Sequence, residues 1–268
     1  MRTSTLIGII LGLAAIFGAF YLEKGDISNL FLLAPTMIVV GGTLMAGLAS
    51  SSWDTFKKFP KLIIISFFPP NYKKQKIIFQ LLDFSLITRK QGILSLEDKM
   101  DSVIHPYMKK LFQVGIDGAD TEALEEIFDK ELQGIANRHN ENINFFQKLG
   151  GLSPTMGIIG TVMGLITTMG EATNGDANAL ITSIGVAFLA TLWGITLANV
   201  IWIPIADKLQ VIHNQEVNLL NLIFEGAKCI LNGEPPTVIA SKLTSSFPLS
   251  EQEQFQKDTR RFIDQNRK

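Results

Sequence analysis

Two threonines, Thr161 and Thr191, are the side chains of this sequence best placed for chemistry, because each lies in a row of small residues within an uncharged segment. The first row, at helical spacing, consists of Gly157, Gly160, Thr161, Gly164 and Thr168. The second row consists of Ala187, Thr191, Gly194 and Ala198. A threonine hydroxyl offers one donor and two acceptors. It can therefore coordinate a sodium ion or hold a file of water molecules, but it cannot carry a proton as a carboxylate does.

Two roles for these rows follow from the residues, and both stay open at this point. Small residues let helix backbones approach closely in lipid, and Gly160 and Gly164 form a G-x-x-x-G pair. The rows are therefore suited to packing between helices of one chain or of neighbouring copies. Alternatively, they line an ion path or surround a helix of a partner, with Thr161 and Thr191 supplying oxygen atoms.

The uncharged segments contain no Asp, Glu, Lys, Arg or His. There are four of them, namely Thr5–Leu22, Leu30–Ala49, Gly150–Gly170 and Ala179–Ile205. Ion-coupled membrane proteins usually carry an ionisable group inside the bilayer. If this chain couples ions, the titrating carboxylate must come from a helix of another chain.

These segments predict an all-α integral membrane protein with four transmembrane helices, since about 20 apolar residues span a bilayer. The segments pair through two short links, Glu23–Asn29 and Glu171–Asn178. The predicted division is a first transmembrane hairpin at residues 1–49, a cytoplasmic helical domain at 50–149, a second transmembrane hairpin at 150–205 and a cytoplasmic C-terminal tail at 206–268.

The positive charges predict the orientation of the chain in the membrane. Of the 24 lysines and arginines, only Lys24 lies in a short link. Positive residues are retained on the cytoplasmic side. Both termini and the large loop are therefore expected in the cytoplasm, and the two short links outside.

The large loop is expected to be helical. Helices are predicted around Lys73–Ile87 and Leu94–Ile104, the second ending before Pro106. A third begins at Asp120 or Thr121 as N-cap, followed by apolar residues at helical spacing. Because Gly134 is its only helix breaker, this third helix is expected to run straight into the third membrane segment.

Composition argues against several other classes of protein. The net charge is −1, which gives no electrostatic case for binding nucleic acid. Cys229 is the only cysteine, and the histidines at positions 105, 139 and 213 are far apart in the sequence, so a zinc site is not expected. No nucleophile–base constellation or phosphate loop is present, so neither enzyme activity nor a bound cofactor is expected.

Motifs in the second segment, the loop and the last two segments together resemble a known family. They are Gly41-Gly42-Thr43, then Arg89, Gly92, Leu94, Leu96 and Glu97, then Pro154 to Thr161 with Gly164, and finally Ala190 to Gly194 with Ala198, Asn199 and Pro204. The chain resembles flagellar stator subunits of the MotA type, within the wider MotA/TolQ/ExbB proton channel family. Four predicted spans favour the MotA type, since TolQ and ExbB proteins have three.

The resemblance implies a ring of five chains around two copies of MotB in the bacterial inner membrane. MotB supplies a membrane helix with an essential aspartate and anchors the unit to peptidoglycan. Ion flow through the complex then drives flagellar rotation. The carboxylate that this sequence lacks is the one that MotB would supply.

Roles for individual residues also follow from the resemblance. Arg89 and Glu97 match the loop charges that engage the rotor protein FliG, and would lie two turns apart if one helix carried both. Pro154 and Pro204 match prolines tied to torque, and we expect them to act as conformational hinges. The ion pathway is assigned to Thr161, Thr191 and Pro154, with protons expected rather than sodium ions. Helix packing is assigned to Gly157, Gly160, Gly164, Ala187, Gly194 and Ala198.

Two alternatives stay open. A TolQ/ExbB-like energiser of envelope transport would tolerate loss of both Arg89 and Glu97. A self-contained transporter would show a midplane binding site, broken helices or internal repeats, and the sequence shows no convincing repeat. Ion flux without any partner chain would favour the transporter.

Overall fold

The computed structural model describes residues 4–172, 177–245, 247–248, 252, 255, 257–259 and 261–262, and every regular element within them is helical. The chain folds as two compact units. The first comprises Met1–Pro70 and Asn137–His213, and the second comprises Asn71–Ala136 and Asn214–Lys268. The predicted transmembrane and cytoplasmic divisions concern the membrane boundary and stay predictions.

The first unit begins with helix α1, Ser4–Leu22, which coincides with the first predicted span. The helix ends where Lys24 adopts a positive φ of 62°. A short 3₁₀ helix, Ile27–Leu30, follows. The Asp26 carboxylate caps it by accepting a hydrogen bond from the Ser28 amide at 3.0 Å, which satisfies a donor that a helix start leaves unpaired.

The second apolar segment is shorter as a helix than the predicted Leu30–Ala49. It consists of α2, Leu33–Thr36, a π-helical turn, Met37–Gly41, and α3, Gly42–Ala49. Leu32 is extended, with φ −83° and ψ 138°, so the helix begins only after it. Pro35 fits in the first turn because the amide it lacks would have no partner in the helix there.

Three helical stretches of the described residues are long and apolar enough to cross a membrane. They are Ser4–Leu22, Thr121–Gly170 and Ser183–Leu231, while Leu33–Ala49 is a shorter apolar helix. The predicted count of four spans therefore depends on this shorter helix, whose 17 residues lie at the lower end of the range, about 17 to 25, that spans a bilayer.

A single long helix connects the loop to the third apolar segment, as predicted. Helix α7 runs from Thr121 to Ala172 without interruption, and Pro154 lies inside it. Its start is capped by Asp120, whose Oδ1 accepts a hydrogen bond from the Ala123 amide at 2.8 Å. Of the predicted link of residues 171–178, residues 173–176 lie outside the described residues.

The fourth apolar segment is also helical but contains a wider turn. It comprises α8, Ala177–Thr196, a π-helical turn, Leu197–Trp202, and the start of α9, Ile203–Leu231. The second and the fourth apolar segments each contain a proline and a π-helical turn, and each remains helical across the turn. π-Helical turns occur frequently at functional sites.

The first unit contains a helix that the sequence analysis did not predict. Helix α4, Trp53–Phe67, is capped by Ser52, whose hydroxyl accepts a hydrogen bond from the Thr55 amide. One face of α4 packs against aromatic rings. The Phe59 ring stacks on the Phe146 ring with their centres 5.4 Å apart, and it lies edge-on to the Phe145 ring with their centres 5.9 Å apart. The surrounding core includes Leu62, Ile143, Leu149, Trp202, Ile205 and Leu209.

The second unit is a helical bundle with its own core. It contains α5, Lys74–Gln91, a 3₁₀ helix, Ile93–Ser102, α6, Pro106–Ile116, and α10, Pro236–Thr244, together with the start of α7 and the end of α9. The predicted helix at 73–87 is thus one turn longer, and the predicted helix at 94–104 has 3₁₀ geometry. Phe84, Leu111, Phe112, Leu219 and Ile223 are among its fully buried residues.

Candidate functional site

The two rows of small residues face each other within one chain, on α7 and α8. A Cβ atom built on Gly157 would lie 2.8 Å from the carbonyl oxygen of Ala190 and 3.1 Å from the Cα of Thr191. One built on Gly194 would lie 2.6 Å from the carbonyl oxygen of Ser153. These neighbours are backbone atoms that cannot rotate away, so only glycine fits at either position.

The contact extends along α7 toward Gly170. A Cβ on Gly160 would lie 2.6 Å from the Cβ of Ala190, and one on Gly164 would lie 2.8 Å from the Cβ of Ala187. Ala187 and Ala190 are themselves buried. Small residues on both helices therefore allow a backbone approach that any larger side chain would prevent, as expected for helix association in lipid.

The two threonines meet at the centre of this contact. The Thr161 hydroxyl lies 2.5 Å from the Thr191 hydroxyl, 3.0 Å from the carbonyl oxygen of Ala187 and 3.1 Å from that of Gly157. Because Thr161 has one hydroxyl hydrogen, it can donate to only one carbonyl at a time while Thr191 donates to it. The result is a cluster of four oxygen atoms, half-buried, in segments that carry no charge.

Pro154 lies half-buried inside α7, next to a second pair of hydroxyls. Having no amide hydrogen, Pro154 cannot make the usual helical bond to the carbonyl of Gly150. The neighbouring Ser153 is fully buried, and its hydroxyl accepts a hydrogen bond at 3.5 Å from the equally buried Thr43. The sequence placed Thr43 in a family motif but gave no sign that it contacts Ser153.

Ala198 lies in the π-helical turn that follows α8, and Pro204 lies just after that turn. Ala198 is buried within the turn, and Pro204 is half-buried in the first turn of α9. Asn199 is exposed, and its side-chain amide donates to the carbonyl oxygen of Ile195 at 2.9 Å. The wide turn and a proline that lacks an amide donor therefore occur within a few residues of each other.

Trp193 fastens α8 to the beginning of the chain. Its indole Nε1 donates to the carbonyl oxygen of Leu30 at 2.7 Å. The centre of its ring lies 5.3 Å from that of the Phe31 ring and 5.9 Å from that of the Phe17 ring. Sequence reasoning named Trp193 only as a motif residue, because a contact across 163 positions leaves no local pattern.

Arg89 and Glu97 are both exposed in the second unit but lie on different helices. Arg89 belongs to the last turn of α5, whereas Glu97 belongs to the following 3₁₀ helix. Gly92 separates them with a φ of 82°, which side chains other than glycine rarely adopt. Arg89 and Glu97 therefore do not lie two turns apart on a single helix.

Two of the three histidines that are distant in the sequence lie side by side in the first unit. Nδ1 of His139 on α7 lies 3.1 Å from Nδ1 of His213 on α9. The described residues nevertheless hold no cluster of three or more His, Cys, Asp or Glu side chains that could bind a metal. The third histidine, His105, caps α6 by accepting a hydrogen bond from the Tyr107 amide at 3.2 Å.

The chain matches two described protein families. Residues 98–221 match the MotA/TolQ/ExbB proton channel family, and residues 6–91 match the motility protein A N-terminal family. Motility protein A of Bacillus subtilis is 31% identical over 95% of this chain and 94% of its own length. Chemotaxis protein PomA of Vibrio alginolyticus is 30% identical over 91% of this chain and 94% of its own length.

Two solved structures have the same fold. The flagellar MotAB stator complex from Bacillus subtilis contains a chain with a TM-score of 0.86 and 31% identity, covering 93% of this chain and 98% of that one. A chain of C. jejuni MotAB gives a TM-score of 0.87 at 25% identity, covering 93% of this chain and 97% of that one.

Proposed function

The chain belongs to the MotA/TolQ/ExbB proton channel family, and from this we infer that it is a stator subunit of the bacterial flagellar motor, which converts ion-motive force into rotation. It is a membrane-embedded protein, not an enzyme, and it works in a multimer with MotB. The match to the motility protein A N-terminal family favours this function over a TolQ/ExbB-like role in envelope transport.

The observation that carries the proposal is the contact of α7 with α8 around Thr161 and Thr191. It forms a narrow polar strip in apolar segments that contain no group able to titrate. Such a strip can guide an ion, but it needs a carboxylate from outside the chain. A MotB aspartate is the group that would complete it.

The chemistry of one step follows from this arrangement. An aspartate held in dry surroundings has a raised pKa, because burial disfavours its charged form. It then takes a proton from the outer side more readily, and neutralisation changes which small-residue surface it prefers. Release to the inner side restores the charge. A membrane potential supplies about 2.3 kcal/mol per charge per 100 mV, so the passage of several ions can drive a conformational change over a modest barrier.

The proposed ion is the proton. A second candidate is sodium, favoured by the cluster of four oxygen atoms formed by Thr161 Oγ1 and its three oxygen neighbours, since hydroxyl and carbonyl oxygens can replace a cation's hydration shell. The two are distinguished by rotation speed when sodium is removed at a fixed membrane potential. Undiminished speed supports the proton, and arrest supports sodium.

The finer features of the assembly are also proposals. We place five chains around two MotB copies in the inner membrane, with four spans that include Leu33–Ala49 and with both termini in the cytoplasm. Lipid covers the outer surface of the ring. The distribution of lysine and arginine supports this orientation.

Contact with the rotor is assigned to Arg89 and Glu97, which are exposed as docking residues must be. The partner there is FliG. Pro154 and Pro204 are the proposed hinges, because each lacks the amide hydrogen for a helical hydrogen bond that would otherwise resist bending.

The decisive experiment expresses this chain with its own MotB in a flagellated strain that lacks stator genes. Rotation is expected with both chains, and none when the membrane aspartate of MotB is replaced by asparagine. Purified chain without MotB, placed in liposomes under an ion gradient, should show no selective flux. Robust flux from the chain alone would overturn the proposal and favour a self-contained transporter.

A further inference from the structure

Helix α4, Trp53–Phe67, has an apolar face that the protein does not cover. The opposite face is held by the aromatic rings described above and by the buried residue Leu62. On the uncovered face, Trp53 is 57% exposed, Ile64 is 60% exposed, and Phe68, just beyond the helix end, is 66% exposed. Residues four positions apart are neighbours on a helix, so Pro60, Ile64 and Phe68 form one continuous row.

Lysines border this row. Lys57, Lys58 and Lys61 are exposed, and α4 contains a single acidic residue, Asp54. Lys57 and Lys61 continue a second row that begins at Trp53, and the Lys57 Nζ lies 5.8 Å from the centre of the Trp53 ring. The uncovered face therefore combines bulky apolar groups with a positive edge.

The position of α4 in the chain brings its first residue close to the end of an apolar helix. Helix α3 ends at Ala49, and only residues 50–52 separate it from Trp53. Lys148 of α7 fixes this short connection by donating to the carbonyl oxygen of Ser50 at 2.6 Å. Three extended residues reach only about 10 Å, so α4 must begin close to the level at which the membrane helix ends.

We propose that α4 lies in the inner leaflet surface and binds anionic phospholipid. Trp53, Ile64 and Phe68 insert at the boundary between headgroups and acyl chains, as in other interfacial helices. Lys57, Lys58 and Lys61 contact the phosphates of lipids with a net negative charge. Zwitterionic lipids present no net charge and bind this edge less well. The choice of the inner leaflet rests on the proposed orientation of the chain.

The charge pattern selects lipid over protein as the occupant. A covering helix from a second copy would have to bury three lysines beside one aspartate, and burying unpaired charge is costly. A leaflet surface leaves the ammonium groups in the headgroup layer while it covers the apolar row. Each basic residue near an anionic surface contributes about 1 kcal/mol, which corresponds to about fivefold in affinity.

The test uses the full chain in complex with MotB. A spin label on Ile64→Cys is studied in vesicles of phosphatidylcholine alone or with about one third phosphatidylglycerol. We expect the label to be accessible to oxygen and shielded from a water-soluble nickel chelate in the mixed vesicles. Unsubstituted chain reports any labelling of the buried Cys229.

Native mass spectrometry then measures bound phosphatidylglycerol for two matched variants. Lys57, Lys58 and Lys61 are changed to Gln in one, and the exposed Lys99, Lys130 and Lys257 in the other. We expect affinity to fall about fivefold per lysine in the first variant and to stay unchanged in the second. Equal losses, a label open to the nickel chelate, or one shielded from both reagents by a second copy would overturn the proposal. Rotation of motors built from the unsubstituted complex reports on the stator function separately.

Discussion

Gly157 of α7 and Gly194 of α8 lie backbone against backbone. A Cβ atom on Gly194 would lie 3.1 Å from the Cα of Gly157, and one on Gly157 would lie 3.3 Å from the Cα of Gly194. Neither helix could approach so closely if either residue carried a side chain. The Thr161–Thr191 hydrogen bond depends on this approach, because short hydroxyl side chains must reach across the same contact.

The first prediction concerns this contact. Gly157→Ala and Gly194→Ala are each expected to separate the two helices and to reduce motor torque severalfold, because the new methyl group meets backbone atoms under 3.0 Å away. Gly151→Ala is the control, since nothing lies within 4 Å of its Cβ position. Bead rotation at fixed load and the amount of MotB copurified with the chain measure the effect. Equal torque in all three variants would contradict it.

The second prediction separates the two hydroxyls. Thr161→Val keeps the side-chain volume but removes the group that contacts three oxygens, so it should lower ion flux more than Thr191→Val. Thr161→Ser keeps the hydroxyl and should retain most of the flux. Flux is measured in proteoliposomes that contain the complex with MotB. A valine variant as active as the serine variant would show that the hydroxyl has no part in conduction.

Much of the fold could be predicted from the sequence where one local rule decides the structure. The uncharged run Thr5–Leu22 predicted α1, and Asp120 followed by apolar residues at helical spacing predicted the start of α7. The expected union of the loop helix with the third apolar segment is confirmed. In these places an uncharged apolar run or a helix cap determines the local structure through a few neighbouring residues. Tertiary contacts therefore did not alter the predicted helix.

Other features depend on contacts that sequence spacing does not record. Helix α4 was not predicted because Pro60, a helix breaker, lies inside it and three lysines interrupt its apolar residues. His139 and His213 meet although 74 positions separate them, because α7 and α9 bring them together. For the candidate site, spacing identified both rows of small residues. It could not decide whether they face each other, another copy or a partner.

The third prediction tests the hydrogen bond of Trp193. Trp193→Phe keeps most of the aromatic packing but leaves the carbonyl of Leu30 without its indole donor, which costs about 1–3 kcal/mol. Trp202→Phe is the control, because the Nε1 of Trp202 is buried without a hydrogen-bond partner. The thermal unfolding midpoint of the detergent-solubilised complex should therefore fall more for Trp193→Phe. A larger fall for Trp202→Phe would show that ring volume matters more than the hydrogen bond.

The last prediction concerns pH and the start of α6. Burial lowers the pKa of His105 below its ordinary value near 6.5, and the nearby carboxylate of Glu216 only partly opposes this effect. Well above pH 6.5 the imidazole is neutral in both the folded and the unfolded chain. As the pH falls below that value, the unfolded chain takes up a proton that the folded chain resists, so stability is lost down to the folded pKa.

Protonation at Nδ1 would also remove the acceptor that caps α6, since the Tyr107 amide donates to that atom. Amide hydrogen exchange of residues 107–112 should therefore accelerate as the pH falls from about 7.5 to about 5.5, after correction for intrinsic exchange. His105→Asn keeps a side-chain cap but cannot titrate, so its exchange should depend less on pH. The other two histidines are present in both proteins and cancel in the comparison. If exchange depends on pH in the same way in the unsubstituted chain and in His105→Asn, a group other than His105 causes the effect.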